Sequence, residues 1–183
     1  MGFAGERTSL LNASWLLTAT LASAARINVT AVTASNGKST LECWQIDAPF
    51  VVSTTAGISG TAIAQLGDVT NVDFSVVPPN FDGGLHNAPR NQWVMVTSGL
   101  AYITVPGDDS DGVYIQRGES GLIFAAGTPS LSEGHYTSYL SIMETIALLF
   151  PTKDGAVPAH RVVRPGPCLV SETAGFRALV GMN

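Results

Sequence analysis

Short runs of β-branched and apolar residues, separated by turn-forming residues, recur along the chain from Asn28 onward. The breakers between them are Asn-Gly, Ala-Gly, Gly-Asp and Pro-Pro pairs, which end strands. Strands are predicted at Thr40–Ile46, Val51–Thr54, Thr61–Leu66, Val72–Val77, Leu100–Val105, Val113–Gln116, Leu122–Ala125, His135–Tyr139 and Thr145–Phe150. Short strands at this regular spacing are typical of an all-β sandwich or barrel of the jelly-roll kind.

The C-terminal third of the chain contains one segment with two interpretations. Ser138–Phe150 could be helical by its period, but the apolar run Ile146–Phe150 before Pro151 fits a buried strand at least as well. The proline-rich stretch after Pro151 predicts an extended strap, and residues 171–183 predict a short helix or a loose end. We see no internal repeat or linker, so residues 25–183 are predicted to form a single domain.

Composition and charge exclude one class of partner. Charged residues make up 13% of the chain, while Gly (19) and Pro (10) are frequent, which suits many strands and turns. Lys and Arg number 9 against 14 Asp and Glu, for a formal net charge of −5. Because the sequence contains no basic cluster, we do not expect a nucleic-acid partner.

The N-terminal residues resemble a secretory signal. Residues 10–22 (LLNASWLLTATLA) are apolar but too short to span a membrane, and Ala22-Ser23-Ala24 supplies the small residues of a cleavage site. We therefore expect residues 1–24 to be removed, and the mature protein to be secreted and free of the membrane. The alternative is an apolar N-terminal helix that stays on an intracellular protein.

Two downstream features agree with secretion. Asn28-Val29-Thr30 is an N-glycosylation sequon, although such triplets also arise by chance. The two cysteines, Cys43 and Cys168, lie near opposite ends of the mature domain. In an oxidising compartment they could form a disulfide, and otherwise they would be two buried thiols.

The stretch Asp82–Gly99, with the sequence DGGLHNAPRNQWVMVTSG, carries the most specific pattern in the chain. It resembles the first conserved motif of the cupin superfamily, which reads Gly, a gap, His-x-His, three or four residues, Glu, six residues, Gly. His86 takes the place of the first histidine, and Gly99 closes the motif. Ala88 replaces the second histidine and Gln92 replaces the glutamate, so the spacing is kept while two of three metal-ligand positions are lost.

A looser match to the second cupin motif follows. GLIFAAGTP (121–129) resembles its turn, with Ser130 in the regular histidine place and His135 five residues later. The resemblance covers roughly residues 74–150. The segments ECWQIDAPF and FDGGLHNAP also resemble small secreted cupin-like proteins of filamentous fungi. The resemblance implies a single-domain, mostly antiparallel jelly-roll β-barrel of cupin type that forms homodimers through sheet edges.

Metal-binding cupins hold their ion with three imidazoles and one carboxylate. The candidate metal ligands here are His86 and His135, with Glu144 as a recruited carboxylate. Gln92 is a neutral amide and a poor ligand for a transition metal, and Ala88 donates nothing. We therefore expect either no cofactor or a weakly held divalent metal ion.

Two functions remain open. The first is a binding module whose barrel holds a small, mainly apolar molecule, with His135, Trp93, Tyr102 and Tyr136 as candidate wall residues.

The second function is that of a small enzyme: an isomerase, dehydratase or cyclase, or else a metal-dependent oxygenase. In a metal-free enzyme His86 would act as acid or base, since histidine titrates near neutral pH, and Gln92 would hold a substrate carbonyl. The structural alternative for His86 is a ring that only satisfies a backbone carbonyl.

Overall fold

The computed structural model of the chain describes residues 25–173, without the side chains of residues 108–111. The predicted signal segment, residues 1–24, lies outside the described residues. So do residues 174–183, which hold most of the predicted C-terminal helix or loose end.

Residues 25–173 form thirteen strands, one short 3-10 turn at Lys153–Gly155 and one short helix. The strands are β1 Arg26–Ser35, β2 Lys38–Pro49, β3 Val51–Val52, β4 Ala62–Ile63, β5 Asp73–Val77, β6 Asp82–His86, β7 Gln92–Ser98, β8 Leu100–Val105, β9 Asp108–Gln116, β10 Leu122–Ala125, β11 His135–Tyr139, β12 Thr145–Pro151 and β13 His160–Pro165. Helix α1 spans Val170–Thr173.

Two facing sheets make up most of the fold, and β3 and β4 form a separate two-stranded sheet. The large sheet has seven strands in the order β13-β2-β1-β10-β7-β12-β5, and the small sheet has four in the order β6-β11-β8-β9. Neighbouring strands are antiparallel except for the parallel pair β1 and β10. The all-β class is confirmed, and the arrangement is consistent with a jelly-roll sandwich.

The predicted closure into a barrel is not observed. Within residues 25–173, no strand pairing joins the outer strands of the large sheet to those of the small sheet. The sheets are held together instead by side chains that pack between them. The fold is therefore an open sandwich with four outer strands.

The large sheet buries apolar side chains on both of its faces. The core between the sheets contains Val32, Leu41, Val96, Ala101, Ile103, Val105, Ile115, Ile123 and Ala147. A second core on the outer face of the large sheet contains Val29, Ala31, Trp44, Ile46, Trp93, Phe124 and Ala126. Successive residues of one strand, such as Ala31 and Val32, enter different cores because strand side chains alternate between faces.

Gly99, the residue that closes the first motif, sits in the tight turn between β7 and β8. Its φ is +81°, a conformation that L side chains rarely adopt. A Cβ there would also lie 2.7 Å from the Cα of Thr145. Glycine is therefore required at this position by both the turn and its neighbour.

The predicted strands agree with the observed ones at the centre of the fold and differ at its margins. The bounds of β8, β10 and β11 are as predicted, and Ser138–Phe150 contains a strand rather than a helix. The sequence did not predict β1, β6 and β13 as strands. β6 contains two glycines, and β13 ends in proline; both are outer strands, where such residues are tolerated.

The disulfide between Cys43 and Cys168 is confirmed. Their Cα atoms lie 4.5 Å apart, and 125 positions of sequence separate them. The bond attaches the segment after β13 to β2, and the Cys168 backbone N–H also donates to Thr30 Oγ1 at 3.1 Å. The predicted strap is thus held against the large sheet.

We predict that the disulfide supplies a large share of the folding stability. Closing a loop of 125 positions restricts the unfolded chain, which the chain-entropy model values at about 5 kcal/mol. A reductant should lower the free energy of unfolding of the wild type by this order, measured by urea titration. The Cys43→Ala/Cys168→Ala double variant should show no response to the reductant, and a wild type that is equally unresponsive would contradict the prediction.

Candidate functional site

A cavity of 190 Å³ lies between the two sheets. Most of its wall is apolar and comes from the inner core. The polar groups of the wall are Ser75, His86, Gln92, His135, Thr137 and Tyr139. The cavity is therefore an apolar chamber with a small set of polar groups, which is the usual composition of a small-molecule site.

Two segments that cross from one sheet to the other run together at one end of the sandwich. Residues 87–91 connect β6 to β7, and residues 126–134 connect β10 to β11. The Ala88 backbone N–H donates to the Gly127 carbonyl at 3.2 Å, and Asn87 Nδ2 donates to Ser132 Oγ at 2.9 Å. The exposed residues His86 and Pro89 also line the cavity beside this crossing. We therefore call this end of the sandwich the mouth of the cavity.

The two histidines of the predicted site lie together at the mouth. His86 on β6 and His135 on β11 are directly opposite each other in the antiparallel pair, and their ring centroids are 4.4 Å apart. Gly134 permits this close approach: its φ is +93°, and a Cβ there would lie 2.9 Å from the His86 carbonyl oxygen. The sequence pattern predicted both histidines as site residues, and the pairing of β6 with β11 brings them together.

The two rings have different environments. His135 is 7% exposed, and its Nδ1 atom is buried without a hydrogen-bond partner. Burial, with a smaller contribution from the His86 charge, lowers the pKa of His135 to about 4. His135 is therefore an uncharged imidazole at neutral pH.

His86 lies at the solvent side of the pair. Its Nδ1 is 3.0 Å from the Gly84 carbonyl oxygen. If Nδ1 carries the proton and donates it to this carbonyl, Nε2 is left as a proton acceptor. The same contact satisfies the Gly84 carbonyl, as the structural alternative for His86 expects.

Gln92 is the buried amide of the cavity. It is 5% exposed and lines the wall, yet its side chain makes no hydrogen bond to any residue in the range 25–173.

Tyr139, which the sequence interpretation missed, lines the same cavity, and burial raises its pKa. Tyr139 is the last residue of the predicted strand His135–Tyr139 and gave no functional signal, because a tyrosine in an alternating strand is most often a packing residue.

Three predicted wall residues do not line the cavity. Trp93 packs in the outer core, with its ring centroid 4.8 Å from that of Phe124 and its Nε1 donating to the Leu66 carbonyl at 3.1 Å. Tyr102 packs against Tyr114 at 4.5 Å, and Tyr136 is 42% exposed. The reason is strand alternation: each is the neighbour of a residue that faces inward.

Glu144 does not join the histidines, so the predicted set of metal ligands is not assembled. Gln92 pairs with Pro151 at the mouth end of β12, whereas Glu144 precedes the opposite end of that strand. About six residues of strand separate the two positions, which corresponds to roughly 20 Å.

The remaining donors do not fit a tightly bound transition metal. The mouth offers two imidazoles and a neutral amide, where a facial metal site uses two imidazoles and a carboxylate. Among the described side chains, the one group of three close donor residues is Cys43, Cys168 and Glu172, and its cysteines form the disulfide. We therefore derive no chemistry through a metal.

The candidate glycosylation site lies on β1. Asn28 is partly buried, its Nδ2 donates to the Glu172 carbonyl at 2.9 Å, and its Oδ1 accepts from Gln45 at 3.1 Å. A glycan on Nδ2 would need room beside helix α1. Glycosylation at Asn28 stays a prediction.

Comparisons with known proteins give low similarities. No family model and no curated protein matches the chain. A conserved protein of unknown function from Streptococcus pyogenes is 18% identical, with a TM-score of 0.33 over 50% of this chain and 71% of that one. The capsular polysaccharide assembling protein CapF from Staphylococcus aureus is 15% identical, with a TM-score of 0.32 over 62% of this chain and 34% of that one.

A cupin-like protein from Thermotoga maritima is also similar. It is 15% identical, with a TM-score of 0.33 over 77% of this chain and 88% of that one. TM-scores of this size carry no functional argument, so the site is assigned from the geometry of this chain. The resemblance to fungal proteins stays a prediction.

The disulfide indicates a non-reducing environment, as expected for a protein outside the cytosol. In the part of the chain from residue 25 to 173, none of the helices has the length and hydropathy to cross a bilayer.

We predict that His135 makes the fold sensitive to acid. Its pKa is about 4 in the folded state against about 6.5 when unfolded, so the unfolded chain takes up the proton first as the pH falls. The resulting stability is present above about pH 6.5 and decreases between about pH 6.5 and 4, by roughly 2.5 kcal/mol at about pH 4.5. Urea titrations of the wild type and of His135→Phe, each at about pH 6.5 and about pH 4.5, isolate this contribution. An equal pH dependence in both proteins would contradict it.

Proposed function

We propose that this protein binds a small, neutral, mainly apolar molecule in the cavity between its sheets. The observation that carries the proposal is the Gln92 side chain, a buried amide that lines the cavity and has no protein partner within residues 25–173. A ligand oxygen or hydroxyl in the cavity would give this amide a partner, and one such hydrogen bond contributes about 0.5–1.5 kcal/mol.

The polar groups suggest how such a molecule would be oriented. Gln92, His135 and Tyr139 all line the chamber, whereas much of the remaining wall is aliphatic. A ligand would place its polar group near these side chains and its apolar body among Val94, Ile103 and Leu149. Amide, imidazole and phenol groups can each donate or accept, so a hydroxyl or a carbonyl would be accommodated.

Cavity size and charge limit the class of ligand. A cavity of 190 Å³ exceeds the engineered cavity of about 150 Å³ that binds benzene, so a single ring with a small polar substituent fits. Among residues 25–173, no Lys, Arg, Asp or Glu lines the wall, and His135 is uncharged at neutral pH. A charged ligand would lose its hydration without gaining an ion pair, so neutral molecules are favoured.

We also propose that the protein acts outside the cell. The apolar N-terminal segment with its Ala-Ser-Ala site is the sequence support, and the disulfide agrees with it. Identification of the N-terminal residue of the mature protein tests this proposal directly. A chain that still starts at Met1 after export would contradict cleavage after Ala24.

We predict that Gln92 selects ligands with a hydrogen-bonding group. In calorimetric titrations with phenol and toluene, Gln92→Leu should reduce the preference for phenol relative to toluene by about three- to tenfold, the value of one hydrogen bond. Gln116→Leu is the matched control, because Gln116 is exposed on β9 and does not line the cavity. Benzoate should bind far more weakly than phenol.

The binding proposal fails if phenol and toluene do not bind to the wild type. It also fails if the Gln116→Leu variant changes the preference as much as Gln92→Leu does.

A second candidate function is proton transfer on a bound carbonyl compound. The observation that favours it is the pair of imidazoles at the mouth, 4.4 Å apart, with the Nδ1 of His86 in contact with the Gly84 carbonyl. In this function Gln92 would donate to the carbonyl oxygen, and His86 Nε2 would remove a proton from the adjacent carbon and return it. The reaction class would be an isomerisation.

Exchange of solvent deuterium into the methyl group of acetophenone tests this second function without knowledge of the substrate. Wild type should accelerate the exchange, and His86→Gln should reduce the acceleration by about 10²-fold or more, the usual contribution of a general base. Binding of acetophenone should be retained in the variant. An exchange rate equal to the background, with binding intact, would leave binding as the function.

A further inference from the structure

A second cavity lies between the outer strand β9 and the segment that the disulfide attaches to the large sheet. Its volume is 300 Å³, larger than that of the cavity between the sheets. One wall is formed by residues 112–116 of β9, and the other by residues 167–170 with Thr173 of helix α1. Because Cys168 is bonded to Cys43 of β2, the second wall is fixed to the large sheet. We call this cavity the edge cleft.

The edge cleft follows the free edge of β9. Five consecutive residues of the strand line the cleft, although successive side chains of a strand point to opposite faces of its sheet. These residues therefore share an edge rather than a face. Within residues 25–173, no other strand pairs with this edge. The backbone of β9 consequently offers both N–H donors and carbonyl acceptors to a molecule in the cleft.

Hydroxyl side chains add to the hydrogen-bonding capacity of the cleft. Thr30, Ser120 and Thr173 all line it. Thr30 is 5% exposed, and its Oγ1 accepts a hydrogen bond from the Cys168 N–H at 3.1 Å but donates to no residue in the range 25–173. The proton of this buried hydroxyl is thus available to an acceptor on a ligand.

The aromatic wall of the edge cleft is Tyr114. Its side chain is 58% exposed, and its ring centroid lies 4.5 Å from that of Tyr102 at an interplanar angle of 33°. Tyr102 in turn occupies the space beside Gly112, where a Cβ would overlap the Tyr102 hydroxyl oxygen. Tyr102 therefore supports one side of the Tyr114 ring, and the other side stays open to a ligand.

These features fit a neutral molecule with many hydroxyl groups. Among residues 25–173, no Lys, Arg, Asp or Glu lines the cleft, so an ionic ligand would gain no ion pair there. A sugar ring has C–H groups on its faces, which pack on an aromatic ring, and hydroxyl groups around its rim. Each hydroxyl both donates and accepts, which matches the mixed donors and acceptors along β9. A purely apolar molecule would leave those backbone groups without partners.

We propose that the edge cleft binds a neutral oligosaccharide, with one sugar ring packed on the open side of Tyr114. The sugar hydroxyls bond to the backbone edge of β9 and to the Thr30 hydroxyl. Among the described residues, Ile115 is the one that lines both the edge cleft and the inter-sheet cavity. Saccharide binding is therefore independent of the apolar ligand proposed for the inter-sheet cavity.

Calorimetric titration of the full chain with cellopentaose, laminaripentaose and N-acetylchitopentaose tests the proposal. At least one of these neutral sugars should bind the wild type. Tyr114→Ser should weaken that binding by about tenfold because the ring is lost, and Tyr114→Phe should retain it because the ring is kept. Tyr136→Ser is the matched control: Tyr136 is 42% exposed in the same sheet but does not line the cleft, so the affinity should not change.

The proposal is overturned if none of the sugars binds the wild type, or if Tyr114→Ser binds as tightly as the wild type does. A loss in Tyr136→Ser equal to that in Tyr114→Ser would also overturn it. Binding of an extended peptide such as acetyl-Thr-Val-Thr-Val-amide, without binding of any sugar, would assign the cleft to a peptide partner instead. Circular dichroism of each variant, with a spectrum equal to that of the wild type, shows that a lost affinity is not a lost fold.

Discussion

The constraint on which the fold and the site depend is the alternation of side chains along β7. This strand lies inside the large sheet, between β10 and β12, and both of its faces are covered. Gln92, Val94 and Val96 face the cavity, while Trp93 packs in the outer core. A shift of one residue would exchange the amide for the indole, so the outer core fixes the register that places Gln92 in the cavity.

The mouth of the cavity shows how an apolar sandwich can hold polar groups. Antiparallel pairing of β6 with β11 places His86 and His135 opposite each other, and burial keeps His135 uncharged. With Gln92, these side chains give the chamber hydrogen-bonding capacity without a fixed charge. The proposed binding of neutral molecules rests on this combination, whereas tight metal binding would need a carboxylate in the place of the neutral Gln92 amide.

Much of the fold could be predicted from the sequence because local turn chemistry and strand periodicity determine it. Gly99, for example, closes the first motif of the sequence pattern and ends β7, because the turn and Thr145 leave no room for a side chain. Tyr102 and Glu144 do not line the inter-sheet cavity, and the sequence could not show this because their placement depends on sheet face and strand direction. Tyr139 was missed because nothing local distinguishes a strand tyrosine that lines a cavity from one in a core.

The central claim is that the inter-sheet cavity binds a neutral single-ring molecule through Gln92. A crystal structure with 4-bromophenol tests it most directly, because the anomalous signal of bromine locates the ligand. We predict a bromine peak inside the cavity, with the ligand hydroxyl about 2.7–3.2 Å from the Gln92 amide. A cavity without ligand at saturating 4-bromophenol, or a ligand bound only outside the sandwich, would contradict the account.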